Sequence, residues 1–373
     1  MKRVSLISAV LALGLTACGQ DGSTIRIGFI GPLTGDAASF GADTLNGARI
    51  AVDEVNAGGG VHGKKVELIA EDGKCNGADA AAAAQKLVNI DKVVAIIGGQ
   101  CSSETLAAAP IAEAAKVVLI SPVSSSPEVT KAGDYVFRVY PSDALKGKAL
   151  GAYLATAGFK KLAIISENTD YCQGMRDAVK VSLPKGTSLA FDEVVDQGTK
   201  DYRTLMTRLQ KSDFDVFVAN GQSDATVVEM VKQMRDLGMK QQIVGTDTSD
   251  SATLGQMAPE AVEGLKPLSV PSLSEDNPVA ANYARMFRQR YDEPKFSMYF
   301  TALSHDAAKL AIEQIGVAGT GESLKNALYD LKSYDGVVGA FHFDQNGDVV
   351  GIPYAMKEFK NGQLIQSEVV PID

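Results

Sequence analysis

The stretch best suited to chemistry is Gly98-Gly99-Gln100-Cys101-Ser102-Ser103-Glu104-Thr105. It lies between an apolar run, Val93 to Ile97, and an Ala-rich run, Ala107 to Ala115. A strand that passes into a helix through Gly and Ser leaves unpaired backbone N–H groups at the helix start. The helix dipole adds to their pull on an anion. With Cys101 in the turn to pin it, the segment reads as a rigid holder for a small anion, a carboxylate or a phosphate. Asp247 is an acid of a different kind. It follows a second β-rich run, Gln242 to Gly245, at a strand end of the sort where open α/β sheets bind ligands.

Catalytic constellations find no support. The three histidines, His62, His305 and His342, form neither HExxH nor a metal pair, and GxSxG and GxxxxGK[ST] do not occur. Ser304-His305-Asp306 are neighbours on an expected helix, where side chains fan apart, so no triad is expected. Cys172 is the one candidate nucleophile and has no evident base. Asp344-Gln345-Asn346-Gly347-Asp348 lacks the later Glu and the spacing of a calcium loop and reads as a hairpin turn. No metal and no cofactor is expected.

The elements that position these residues alternate short β-rich runs with longer helical ones. Expected strands are Ile25 to Ile30, Lys65 to Ala70, Val93 to Ile97, Val117 to Ser121 and Tyr135 to Tyr140, with helices at Gly41 to Asn56, Gly77 to Ile90 and Ser102 to Ala115. The pattern restarts at Ser142, with helices at 142–157, 174–183, 201–211 and 225–237 between strands at 161–166, 189–195, 216–219, 242–245 and 265–270. Continuous apolar strands alternating with helices imply parallel sheets covered on both faces, so the fold class is α/β with two doubly wound lobes. The last third is mostly helical, at 277–291, 299–315 and 323–331. It is expected to pack back on the first lobe before a β-rich end.

The N-terminus carries Lys2 and Arg3, an apolar stretch Val4 to Leu15, then Leu15-Thr16-Ala17-Cys18. The apolar stretch is too short to span a bilayer stably. The tetrapeptide matches a bacterial lipobox, so residues 1–17 are expected to be cleaved, Cys18 lipidated, and 18–23 to act as a tether. Losing Lys2 and Arg3 makes a formal charge of −9 more negative still. An acidic chain with no Lys/Arg block has no footprint for nucleic acid. Of the remaining cysteines, Cys75 and Cys101 each follow an expected strand of the same half. In an oxidising compartment they are the expected pair, closing a loop of roughly 25 residues worth about 3–4 kcal/mol. Cys172 is left as a free thiol.

The order and spacing of several motifs resemble those of the solute-binding proteins of branched-chain amino-acid ABC transporters. These are Gly31-Pro32-Leu33-Thr34-Gly35 with Phe40-Gly41, Asp53-Glu54-Val55-Asn56 with Gly58-Gly59-Gly60-Val61, Cys101-Ser102-Ser103, Ser121-Pro122 with Ser125-Ser126-Pro127-Glu128-Val129-Thr130, and Gly245-Thr246-Asp247. The resemblance covers residues 24 to 373. It implies the type I periplasmic binding protein fold, a Venus-flytrap whose lobes are joined by a three-crossover hinge. Residues 24–141 plus 271–340 would form lobe one, and 142–270 plus 341–373 lobe two. It implies that Ser102, with Ser103 beside it, grips a ligand α-carboxylate, that Ser125 touches both carboxylate and ammonium, and that the Val123 carbonyl and Asp247 face the ammonium. Tyr171 and Phe40 would line the cleft. Gln222 stands where leucine-binding members have an aromatic residue, and Asp170 adds a charge near the side-chain pocket. The Cys75–Cys101 bridge also matches the leucine-binding branch.

The function implied is non-enzymatic: a lipid-anchored component of an amino-acid ABC importer, in the periplasm or at the cell surface. It would bind an L-α-amino acid, aliphatic or branched-chain, act as a monomer, and meet permease and ATPase subunits. The alternatives are the same fold carrying an amide, urea or aromatic acid, and a sensor or enzyme-like relative.

Overall fold

The computed structural model describes residues 24–370. The expected signal segment, Cys18 and the tether lie outside the described residues. The first half of lobe one runs β1 (Thr24–Gly31), α1 (Ala38–Ala57), β2 (Lys65–Asp72), α2 (Gly77–Asn89), β3 (Ala95–Ile97), α3 (Ser102–Ala115), β4 (Val118–Ser121) and β5 (Val136–Arg138). All five strands are parallel, in the order β2-β1-β3-β4-β5. Both faces are covered, so the strands read as unbroken apolar runs; Ala95 to Ile97 and Val118 to Ile120 are fully buried.

After β5 the chain crosses into the second lobe. That lobe contains α4 (Asp143–Ala157), β6 (Lys161–Glu167), α5 (Asp170–Val181), β7 (Ser188–Val195), α6 (Arg203–Gln210), β8 (Val216–Asn220), α7 (Asp224–Asp236), β9 (Gln242–Gly245), the short helices α8 (Ala252–Met257) and α9 (Pro259–Val262), and β10 (Lys266–Ser269). Helix starts are fixed locally: the Ser142, Thr169 and Ser223 hydroxyls accept N–H groups of the first turns of α4, α5 and α7. Helix α5 begins at Asp170, a turn before the expected Gly174, because Thr169 caps it there.

The late helices α10 (Pro278–Tyr291), α11 (Met298–Ala318) and α12 (Glu322–Asp330) pack against α1 and the first sheet. Helix α11 crosses α1 so closely that a Cβ on Gly47 would lie 2.1 Å from the Thr301 carbonyl oxygen. A small antiparallel sheet of β11 (Tyr334–Gly336), β12 (Gly339–Phe343) and β13 (Val349–Val350) follows. It sits beside β5: the Arg138 N–H donates to the Gly347 carbonyl at 2.9 Å, and Phe137 meets Phe343. The turn at 344–348 is held by N–H bonds of Asn346 and Asp348 to Asp344, while the Asp348 carboxylate pairs with Arg138. The chain enters the larger sheet at β14 (Tyr354–Lys360), paired with β15 (Gln363–Val370), beyond the lobe boundary expected at 341. The larger sheet has the order β15-β14-β10-β9-β8-β6-β7, with β14 and β15 antiparallel. The α/β class with two sheet-based lobes read from the sequence is the observed one.

Candidate ligand-binding site

The strand ends of the two sheets face one another across a cleft. Here lies a cavity of about 500 Å³, open mouth included. Its wall on the lobe-one side begins with the turn after β3. A Cβ on Gly99 would lie 2.2 Å from that of Glu104, so only glycine lets the turn close onto α3. Glu104 is fully buried, and its carboxylate accepts the N–H groups of Gln100 (2.9 Å), Cys101 (3.0 Å) and Cys75 (2.9 Å). Burial pushes its carboxyl up to about 7 against those three bonds. The hydroxyls of Thr105 and Ser121 both donate to the Gly99 carbonyl. The Cys75–Cys101 disulfide, with Cα atoms 5.3 Å apart, ties the turn to the chain after β2.

This frame presents Ser102 as the first residue of α3. Its hydroxyl oxygen accepts the Ser126 N–H at 3.1 Å, which leaves the hydroxyl proton for an acceptor in the cavity. Ser103 is placed differently: it does not line the cavity, and its hydroxyl donates to the Cys75 carbonyl. Val123 and Ser125 line the wall, but the Ser125 hydroxyl donates to Asp143 at 2.9 Å. Ala37, Phe40, Phe296 and Phe300 make an apolar side. Phe40 packs edge-on against Phe296 and Phe300, at centroid distances of 5.0 and 5.5 Å.

Lobe two supplies Tyr171, Gln222, Ser223, Asp247 and Thr248. Asp247 follows β9. One of its oxygens accepts the Tyr140 hydroxyl at 2.5 Å; the other accepts the Lys146 ammonium and the Tyr171 hydroxyl. Burial, with Asp247 adding to it, holds both tyrosines well above the ordinary phenol range, so they act as neutral donors. The amide oxygens of Gln100 and Gln222 are buried with no partner among the described residues, and both side chains line the cavity. Asp170 is exposed and Cys172 is buried behind the wall, so neither lines it.

Seven of the eight candidate binding residues thus meet in one cavity. Sequence reasoning missed Phe296 and Phe300, which arrive from the start of α11, and the charged group behind Asp247: Tyr140, Asp143 and Lys146. The Ser304-His305-Asp306 expectation needs one correction. His305 and Asp306 do touch, Nδ1 to carboxylate at 2.9 Å. The second ring nitrogen meets Glu54, and the Ser304 hydroxyl has no partner among the described residues, so no triad forms. The Cys172 thiol is pushed far up by burial, leaving it un-ionised and non-nucleophilic. Among the described residues no cluster of three or more His, Cys, Asp or Glu is placed to hold a metal. Nor, among those residues, is any helix long and apolar enough to cross a membrane.

Two sheet-based lobes facing each other across a polar-and-apolar cavity are the architecture of a solute-binding protein. The chain belongs to the periplasmic binding protein family, whose profile, described by that name, matches residues 24–363. Its relatives bear out the family resemblance read from the motifs. It is 29% identical to the leucine-specific-binding protein of Salmonella typhimurium, over 95% of this chain and 96% of that one. It is 30% identical to an amino acid binding protein of Pseudomonas aeruginosa, over 95% and 94%. The branched-chain amino acid transporter substrate-binding protein LivJ of Streptococcus pneumoniae, solved with isoleucine, superposes with a TM-score of 0.85. That comparison spans 93% of this chain and 99% of LivJ at 30% identity.

Proposed function

We propose that this chain is the solute-binding component of an amino-acid ABC importer, taking an L-α-amino acid with an aliphatic side chain. The observation that carries the reading is the division of the cavity. Ser102 at the start of α3 offers a hydroxyl and helix-terminal N–H groups to a carboxylate. Asp247, from the other lobe, offers a carboxylate to an ammonium. A carboxylate accepts at about four positions, and three donors occupy Asp247, which leaves one for the ligand. Val123 and Ser125 line the same cavity as Asp247 and would add a carbonyl and a hydroxyl oxygen for the ammonium. Phe40, Phe296 and Phe300 receive an apolar side chain, and Gln100 and Gln222 supply free acceptors. The relatives named for leucine or bound to isoleucine support the same assignment. The lipobox at Cys18 supports a lipid anchor on the periplasmic or cell surface, and the family supports permease and ATPase partners.

The three phenylalanine rings also favour a second reading, an aromatic acid. Calorimetry of the ligand-stripped protein across L-amino acids, amides and aromatic acids separates the two. Binding of an amide or aromatic acid with no L-amino acid bound sinks the first. Asp247→Ala is expected to weaken an L-amino acid about a hundredfold, the scale of truncating one partner of a buried charge pair. It should leave a carboxylate without an ammonium as tight or tighter.

A further inference from the structure

Behind Asp247 lies a group of charges that faces no solvent. The Asp143 and Lys146 side chains are fully buried, and that of Asp247 is 12% exposed. The Lys146 ammonium donates to Asp143 at 2.5 Å and to Asp247, and sits over the rings of Tyr140, Tyr171 and Tyr354 at 5.4–5.7 Å. Asp143 also accepts the Ser125 hydroxyl. Of these groups only Ser125, Tyr171 and Asp247 line the cavity. Of the other buried charges nearby, Lys357 pairs with Asp250 and Arg138 with Asp348, each at 2.6 Å, while Glu104 and Glu167 are held by backbone N–H groups and stand apart from the Lys146 group. The Lys146 group itself holds two carboxylates and one ammonium, a net single negative charge in a place where charge is expensive.

We propose that Lys146 and Asp143 are specificity-determining residues of the cleft: together with Asp247 they fix one uncompensated negative charge, which a ligand carrying one ammonium neutralises. The requirement for an ammonium is then set by the count of the whole group and not by the Asp247 contact alone. This inference rests on the amino-acid reading above. With all three ionised, an entering zwitterion brings the one positive charge that is missing. A carboxylate without an ammonium leaves the negative charge in place and adds another near it. Burial already holds the Asp143 carboxyl above its ordinary range, so it is the group that takes up a proton when no ligand cation arrives. Burial pulls the Lys146 ammonium down, but Asp143 and Asp247 outweigh it and hold it above the ordinary lysine value, so Lys146 stays charged.

The test compares L-leucine with 4-methylpentanoate, the same carbon skeleton without its amino group. The quantity read is the ratio of their dissociation constants. In Asp143→Asn the count falls to zero with Asp247 untouched, and the ratio is expected to shrink at least about tenfold, one close charge at a partly buried site. In the double variant Asp143→Asn/Lys146→Met only Asp247 carries charge, the count returns to one negative, and the ratio is expected to recover. A ratio in Asp143→Asn within about threefold of wild type overturns the inference, as does a folded double variant that fails to recover. Should either variant not fold by circular dichroism, the wild-type protein still decides. Calorimetry in buffers of different ionisation enthalpy is expected to show about one proton taken up with 4-methylpentanoate and none with L-leucine; equal proton counts overturn it. Wild-type protein that binds no L-amino acid would instead remove the amino-acid reading itself.

Discussion

Glu104 offers the sharpest physical test of the turn that carries Ser102. The perturbation is Glu104→Gln, which keeps the shape and an acceptor oxygen but cannot ionise. In the folded protein burial pushes the carboxyl up to about 7 from an ordinary value of 4.5, despite three N–H bonds from Gln100, Cys101 and Cys75. The folded state therefore holds a proton that the unfolded chain releases near pH 4.5. Between pH 4.5 and 7 the folded state binds more protons, so the sign of the linkage makes stability fall as pH rises. The contribution is fully present below 4.5 and is lost as pH passes through 7. At 1.36 kcal/mol per pKa unit, its size is about 3 kcal/mol.

Urea unfolding of both proteins across pH 4.5 to 8 measures it. Other titrating groups, such as Asp43, act equally in both proteins and cancel in the difference. Near pH 4.5 the protonated acid and the amide should match. By pH 8 the variant should have gained about 3 kcal/mol on the wild type, the gain accruing between about pH 4.5 and 7 and levelling off above 7. A difference curve flat to about 0.5 kcal/mol refutes the reasoning, because it means the three N–H bonds keep Glu104 ionised throughout.

Two further outcomes follow from the cysteines. Protein lacking residues 1–18 should show no thiol reactive to an alkylating agent when native, since Cys172 is buried and un-ionised, and one thiol after denaturation without reductant; three would remove the Cys75–Cys101 bridge. Replacing both bridge cysteines by serine should lower the unfolding free energy in urea by about 3 kcal/mol, and a loss under about 1 kcal/mol would show that the turn's hydrogen bonds suffice to hold it.

The alternation of strands and helices was legible because it rests on local physics: apolar strands buried on both faces, and Ser, Thr or Asn caps before many of the helices. The anion-holding turn was legible for the same reason, since Gly98 to Thr105 builds itself from neighbours in sequence. What escaped is what sequence distance hides. Phe296 and Phe300 come from the lead-in and first turn of α11, nearly two hundred residues after Ser102, and nothing local marks them as cleft residues. Lys146 reads as a surface lysine three residues after an aspartate, an ordinary exposed helix pair. Only tertiary packing puts that pair at zero exposure and turns it toward Asp247. Ser125 was given to the ligand on its motif, but its hydroxyl goes to Asp143, a partner that cannot be named before Lys146 is placed. The strands β11 and β13 were too short to show a period.

The same buried group ties the cleft to the hinge. Tyr140, in the first crossover, donates to Asp247, and the Tyr354 hydroxyl, where the chain re-enters lobe two, donates to the carbonyls of Pro141 and Ser142. The lobes also touch at the rim, where Lys200 pairs with Asp36 at 2.5 Å and Gln197 reaches the Cys75 carbonyl, so the described conformation is a closed one. That rim ion pair is more than half exposed on both sides and contributes at most about 1 kcal/mol. Closure driven by the rim alone would leave the open state well populated. A ligand that meets Ser102 on lobe one and Asp247 on lobe two makes both contacts only when the lobes are shut. Its whole differential affinity then acts on the equilibrium, and a hundredfold preference for the closed state shifts it by about 2.7 kcal/mol. On the proposed reading the weak rim is therefore functional: it lets the cleft reopen once the ligand has gone, while the charge count behind Asp247 decides which ligands are able to close it.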